Sequence, residues 1–120
     1  MKIKKHYSVI HSDKVLSLIK KRLSKVKSKT ERMNEVSVEQ WSNGREQGYS
    51  LFVYGTKGAR INFAQQRNSD TMVVLCGSMA NFDITTNQPN DDIWAKQKFF
   101  DTDEICAQYI VDKISEYVGG

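Results

Sequence analysis

The stretch "YSLFVYGTKGARINFAQQRNSDTMVVLCG", residues 49–77, decides the fold. It holds three runs rich in Val, Ile, Phe and Tyr, broken at "TKG" and "RNSD", where Gly, Asn, Ser and Asp tolerate turn dihedrals. Links this short join antiparallel neighbours, because parallel strands need a long crossover. "EVSVEQW" (35–41), set off by "SNGREQG", adds a fourth strand in front. The runs therefore predict a meander of "EVSVEQW", "YSLFVYG", "ARINFAQQ" and "TMVVLCG".

Within it, "YSLFVY" is apolar on both parities: Tyr49, Leu51 and Val53 face one way, Phe52 and Tyr54 the other. A central strand buried on both sides has this pattern. So does an open sheet whose aromatics stack bases, with Trp41, Phe52 and Tyr54 as the platform. The apolar side chains Phe82, Ile84, Ile93, Trp94, Phe99 and Phe100 need a site of burial, and covering the second face provides one. "GTKGAR" (55–60) contains a G-x-x-G, but between two strands it reads as a hairpin turn, not as a clamp on nucleic acid.

Outward from the meander, "IKKHYSVI" (3–10) alternates as a short first strand, and Ser12 or Asp13 caps a helix after it. Val15, Leu16, Leu18, Ile19, Leu23 and Val26 give that helix an apolar stripe. At the other end, Asp101 with Glu104 three residues on suits a capping box. The last helix then buries Cys106, Ala107, Ile110, Val111, Ile114, Tyr117 and Val118, and Gly119 stops it. "IWAKQKFF" (93–100) is a further strand or a covering segment. Residues 78–92, with the only proline, Pro89, form a long polar connection suited to a mobile or binding loop.

The expected fold is α+β: a single two-layer domain over 1–120, with an antiparallel four- to five-stranded sheet and two helices on one face, in the order β-α-β-β-β-β-(β)-α. With 120 residues, 39% of them hydrophobic, the chain can bury a core without disulfides. Cys76 and Cys106 lack a C-x-x-C or His setting and read as buried thiols of a reducing compartment, with a disulfide between them as the lesser reading. No apolar run is long enough for a membrane span or a leader, so the expected location is cytoplasmic.

Charge is unevenly spread. Residues 1–32 hold 11 Lys+Arg against 2 Asp+Glu, a balance of +9. The rest holds 18 − 11 = 7 against 14 − 2 = 12, a balance of −5. On the first helix, Lys20 and Lys27 flank the apolar stripe on one side and Lys14, Lys21 and Lys25 on the other, with Ser17, Ser24 and Ser28 between. That ring can approach phosphates. It can equally be a solvated face whose lysines lie along apolar surface, or pair within the fold.

Catalysis has no visible signature. His6 and His11, five residues apart, would fall on opposite faces if both lay on one strand, "DTDE" lacks the rest of a calcium loop, and "GTKGAR" is no phosphate loop. The expectation is a non-catalytic module with no metal and no cofactor, analogous in size and fold class to small immunity proteins and phage-encoded inhibitors that block a larger protein partner. Its contact residues are read as Lys20, Lys21, Arg22, Lys25 and Lys27 on the basic helix, Asn87, Asp91 and Asp92 in the 78–92 segment, and Tyr109, with Ile105, on the last helix. The alternative is nonspecific nucleic-acid binding by the basic helix.

Overall fold

A computed structural model of the chain describes residues 2–24, 36–42, 47–53, 58–66, 71–83 and 88–119. The elements are α1 (Lys2–Ser24), β1 (Val36–Ser42), β2 (Gln47–Val53), β3 (Ala59–Gln65), β4 (Met72–Ser78), α2 (Asp91–Ala95), β5 (Lys98–Phe100) and α3 (Asp103–Gly119). A short 3₁₀ turn, Met79–Asn81, follows β4. The strands form one five-stranded antiparallel sheet in sequence order, β1-β2-β3-β4-β5. The fold is α+β, as the sequence predicts.

Register makes two faces. On one, Leu51 pairs with Ile61 and Ile61 with Cys76, while Tyr49 pairs with Phe63 and Phe63 with Val74. Both long helices pack here. Val15, Leu16 and Ile19 of α1 and Cys106, Ala107, Ile110, Val111 and Ile114 of α3 meet Leu51, Val53, Ile61, Phe63, Met72 and Val74 in the main core. Spacings of three and four residues place each helical set on one stripe, which is why the sequence pattern finds them.

The opposite face is covered by α2, whose Ile93 forms a smaller cluster with Leu75 and Phe82. Close approach depends on Gly77: a Cβ there would lie 2.2 Å from Ile93 Cδ1. Gly58 enters β3 with φ 64°, a left-handed backbone suited to glycine at the end of the β2–β3 hairpin.

Three expectations are corrected. Residues 3–10 are not a strand but the start of α1, which runs from Lys2. No glycine or proline interrupts residues 2–24, so helix propagates through Ser12 and Asp13 instead of being capped there. Ser12 is fully buried within it, and Asp13 accepts a hydrogen bond from Tyr49 Oη. Asp101 does not cap α3: it stands two residues before Asp103, where the helix starts, and its Oδ1 accepts from Thr71 Oγ1 at 3.1 Å.

Among the described residues, the 78–92 segment is folded: Asp83 N donates to Gln88 O at 2.8 Å, Asn90 N to Asn81 O at 2.8 Å, and Phe82 bridges to Pro89. Asn90 then caps α2 by accepting from Ile93 N at 3.1 Å. "IWAKQKFF" is a covering segment and a strand in succession. Cys76 and Cys106 are free thiols.

Candidate functional site

Of the ten residues read as contact residues, Lys25, Lys27 and Asn87 lie outside the described residues. The other seven do not share one surface. Lys20 and Lys21 are exposed on α1. Arg22 reaches across to the last helix: its Nη1 donates to Glu104 O at 3.1 Å and to Gln108 Oε1 at 2.8 Å, so it joins α1 to α3. His11 makes a second link between these helices, with Nδ1 at 3.1 Å from both carboxylate oxygens of Asp103. These bonds tie the basic α1 to α3 without neutralising its lysines.

Asp91 and Asp92 are exposed in the first turn of α2, where carboxylates complement the helix dipole. Tyr109 is not an exposed anchor. Half-buried on α3, it packs on Phe100 with ring centroids 5.1 Å apart, lies 3.8 Å by its hydroxyl from Cys76 Sγ, and carries Lys113 Nζ 5.7 Å above its ring. Burial first, and the neighbouring Cys76 second, raise its pKa. The sequence reading made it an exposed contact residue on the acidic side of the last helix, whereas the contact with Phe100 of β5 half-buries it.

Ile105, one turn earlier on the same side of α3, is 60% exposed. Trp94 and Phe99 are 43% and 51% exposed, and the remaining large apolar residue that stands out among the described ones, Val38, is on the opposite edge. Three of these four therefore fall within residues 94–105, in and beside β5. Phe99 pairs with Val73 on the α2 face of the sheet, whereas Ile105 flanks the helix-covered face. Around them Asp91, Asp92, Asp101 and Glu104 are exposed, as are Lys96 and Lys98.

The sequence reading missed Trp94 and Phe99 as surface groups, assigning them to a covered second face. The physical reason is the brevity of what covers that face: Asn90 starts α2 and Gln97 N, bonding back to Trp94 O at 3.3 Å, already ends it.

The second face also holds a polar cluster. Arg60, only 8% exposed, lies between the rings of Phe52 and Phe82, with its guanidinium carbon 5.0 Å from each centroid. Its Nε donates to Asn62 Oδ1 at 2.9 Å and its Nη2 to Ser50 Oγ at 3.2 Å, while Ser50 Oγ donates to the same Asn62 oxygen at 2.7 Å. Burial lowers the Arg60 pKa, and the charge of Glu39 opposes that shift. Stacking and hydrogen bonding together hold a cation that burial alone would disfavour. The cluster occupies Phe52, so that residue serves this second core.

Among the described residues no group of three or more His, Cys, Asp or Glu side chains is placed to hold a metal ion. Cys106 is sealed in the core, where burial, then Asp103, push its pKa to about 12, far from a reactive thiolate. No described helix is long and apolar enough to cross a membrane. No family model, curated protein or solved structure matches the chain.

Proposed function

We propose that this chain is a small non-catalytic protein-binding module, of the inhibitor or immunity type, that docks on a larger protein. The observation that carries the reading is the exposure of three large apolar side chains, Trp94, Phe99 and Ile105, within one short stretch of chain in and beside β5. Exposed groups of this kind serve as contact anchors, and aromatic ones dominate binding energy. The contact surface is accordingly moved from Tyr109 and the basic helix to residues 91–105, with Asp91 and Asp92 kept as its rim.

The test is capture of partners from the native host by the purified protein and by a Trp94→Ser/Phe99→Ser variant. One captured protein should form a stoichiometric complex with the wild type on gel filtration. The variant should melt within a few degrees of wild type yet bind more than tenfold more weakly. A folded variant that keeps every partner, or a wild type that holds none saturably, overturns the reading. Nucleic-acid binding by α1 is the second reading, favoured by the exposure of Lys20 and Lys21.

A further inference from the structure

We propose that the outer edge of β5 receives an extended, cationic segment of the partner protein as an added strand. This deepens the protein-binding reading and rests on it. β5 ends the sheet: it pairs with Met72–Val74 of β4, and among the described residues no strand pairs with its far side. A terminal strand offers backbone N–H and C=O groups along that side, and any extended chain can satisfy them.

Edges not meant for pairing are blunted by brevity, charge and polar flanks. β5 is three residues long and carries Lys98, so it does not invite indiscriminate pairing. Its flanks are the reverse of blunted, because Phe99 stands exposed on one face and Ile105 beside the other. Alternate side chains of an added strand point to opposite faces. One set would then lie over Phe99 with Trp94 nearby, and the other over Ile105 and the half-buried Phe100.

Charge selects the occupant. Residues 91–104 contain five acids, Asp91, Asp92, Asp101, Asp103 and Glu104, against Lys96 and Lys98, a balance of −3 in a chain whose total is +4. Even with Asp103 engaged by His11 and Asp101 accepting from Thr71, the stretch of chain that leads into and out of β5 is acidic in a chain that is basic overall. A segment carrying Lys or Arg between apolar residues matches both features.

The experiment titrates the full chain with a short peptide of alternating lysine and valine, and separately with its glutamate–valine counterpart, followed by amide NMR and hydrogen exchange. The lysine peptide should slow exchange along Lys98–Phe100 and perturb Trp94, Phe99 and Ile105. Raising salt from about 50 to about 200 mM should weaken it, because exposed charges are screened. Phe99→Ser and Ile105→Ser, both on exposed side chains, should reduce its affinity while leaving the melting temperature in place.

Equal binding of the glutamate peptide, perturbation centred on α1 or β1, or unchanged exchange at β5 overturns the proposal. So does a concentration-dependent dimer that protects the same edge without peptide, since a second copy is then the occupant. If the peptide fails while a purified partner still requires Trp94 and Phe99, only the cationic strand falls. If the Trp94/Phe99 variant keeps its partner, the docking reading falls as well.

Discussion

Alternate residues of β3 meet two differently built interiors. Ala59, Ile61 and Phe63 point into the core under α1 and α3, where every principal contact is apolar. Arg60 and Asn62, between them, point to the other side and meet Phe52, Phe82 and Ser50. All seven residues of β3 are buried, yet one side has helices of 23 and 17 residues as its cover and the other has a helix of five. A long helix buries a full stripe and keeps water out. A five-residue helix cannot, and the second face is filled by a stacked cation and internally bonded polar groups. Where that short cover ends, Trp94 and Phe99 remain in solvent.

The largest expected effect tests whether the first face dominates stability. Phe63, 1% exposed at its centre, should lose about 3–5 kcal/mol on truncation to alanine, measured by denaturant unfolding. Leu75, 8% exposed on the second face, should lose nearer to about 2 kcal/mol, at the low end for such changes, since its cover can collapse or admit water. Equal losses would mean that α2 seals its face as well as the long helices seal theirs.

Arg60 sharpens the same contrast. Arg60→Ala should cost about 2–3 kcal/mol, from the lost stack between Phe52 and Phe82 and the bonds to Asn62 and Ser50. Arg60→Met should cost clearly less. It keeps volume between the rings, removes a desolvated charge, and leaves Asn62 Oδ1 its bond from Ser50. Were the two variants equally unstable, the charge itself, not the packing of the stem, would be what this face requires.

These differences explain what was legible beforehand. The four long strands and the buried set Cys106, Ala107, Ile110, Val111 and Ile114 follow from periodicity, because a large uniform core imposes a regular pattern on the chain. The second face leaves little pattern: Arg60 and Asn62 look like solvent positions in the sequence, and their burial depends on Phe82 from a distant segment. Residues 3–10 alternate as a strand does, but no breaker separates them from the helix that follows, and continuity prevailed. The exposure of Trp94 and Phe99 is likewise a matter of where cover stops, which no local pattern encodes.

Alkaline pH probes the first face more gently. Burial raises Cys106 from its ordinary 9.0 to about 12, and Tyr49 from 10.0 to about 12, with Asp13 adding to the latter. Each is neutral when protonated, so a pKa higher in the folded state means that folding favours the bound proton. That contribution is complete below the unfolded pKa and is lost as pH rises through the folded one. Stability should decline between about pH 9 and 12. Cys106→Ala should lose about 1 kcal/mol at neutral pH, from the small cavity left, and show a shallower alkaline decline. An unchanged slope would place the titration elsewhere. A thiol reagent should also label half-buried Cys76 well before Cys106.

The smallest expected effect concerns neither interior. Lys20 and Lys21 are exposed on α1, outside the core, so reversing both to glutamate should change stability by no more than about 0.5 kcal/mol each. Affinity for mixed-sequence oligonucleotides separates the two functions ascribed to this helix. If α1 grips phosphates, wild-type binding should fall steeply between about 50 and 200 mM salt, through counterion release, and the reversed variant should lose it. If α1 is a solvated face anchored to α3 through Arg22, wild type and variant should both fail to bind at the low-salt end. The contacts of Arg22 with α3 favour the second outcome, because its Nη1 is already committed within the fold.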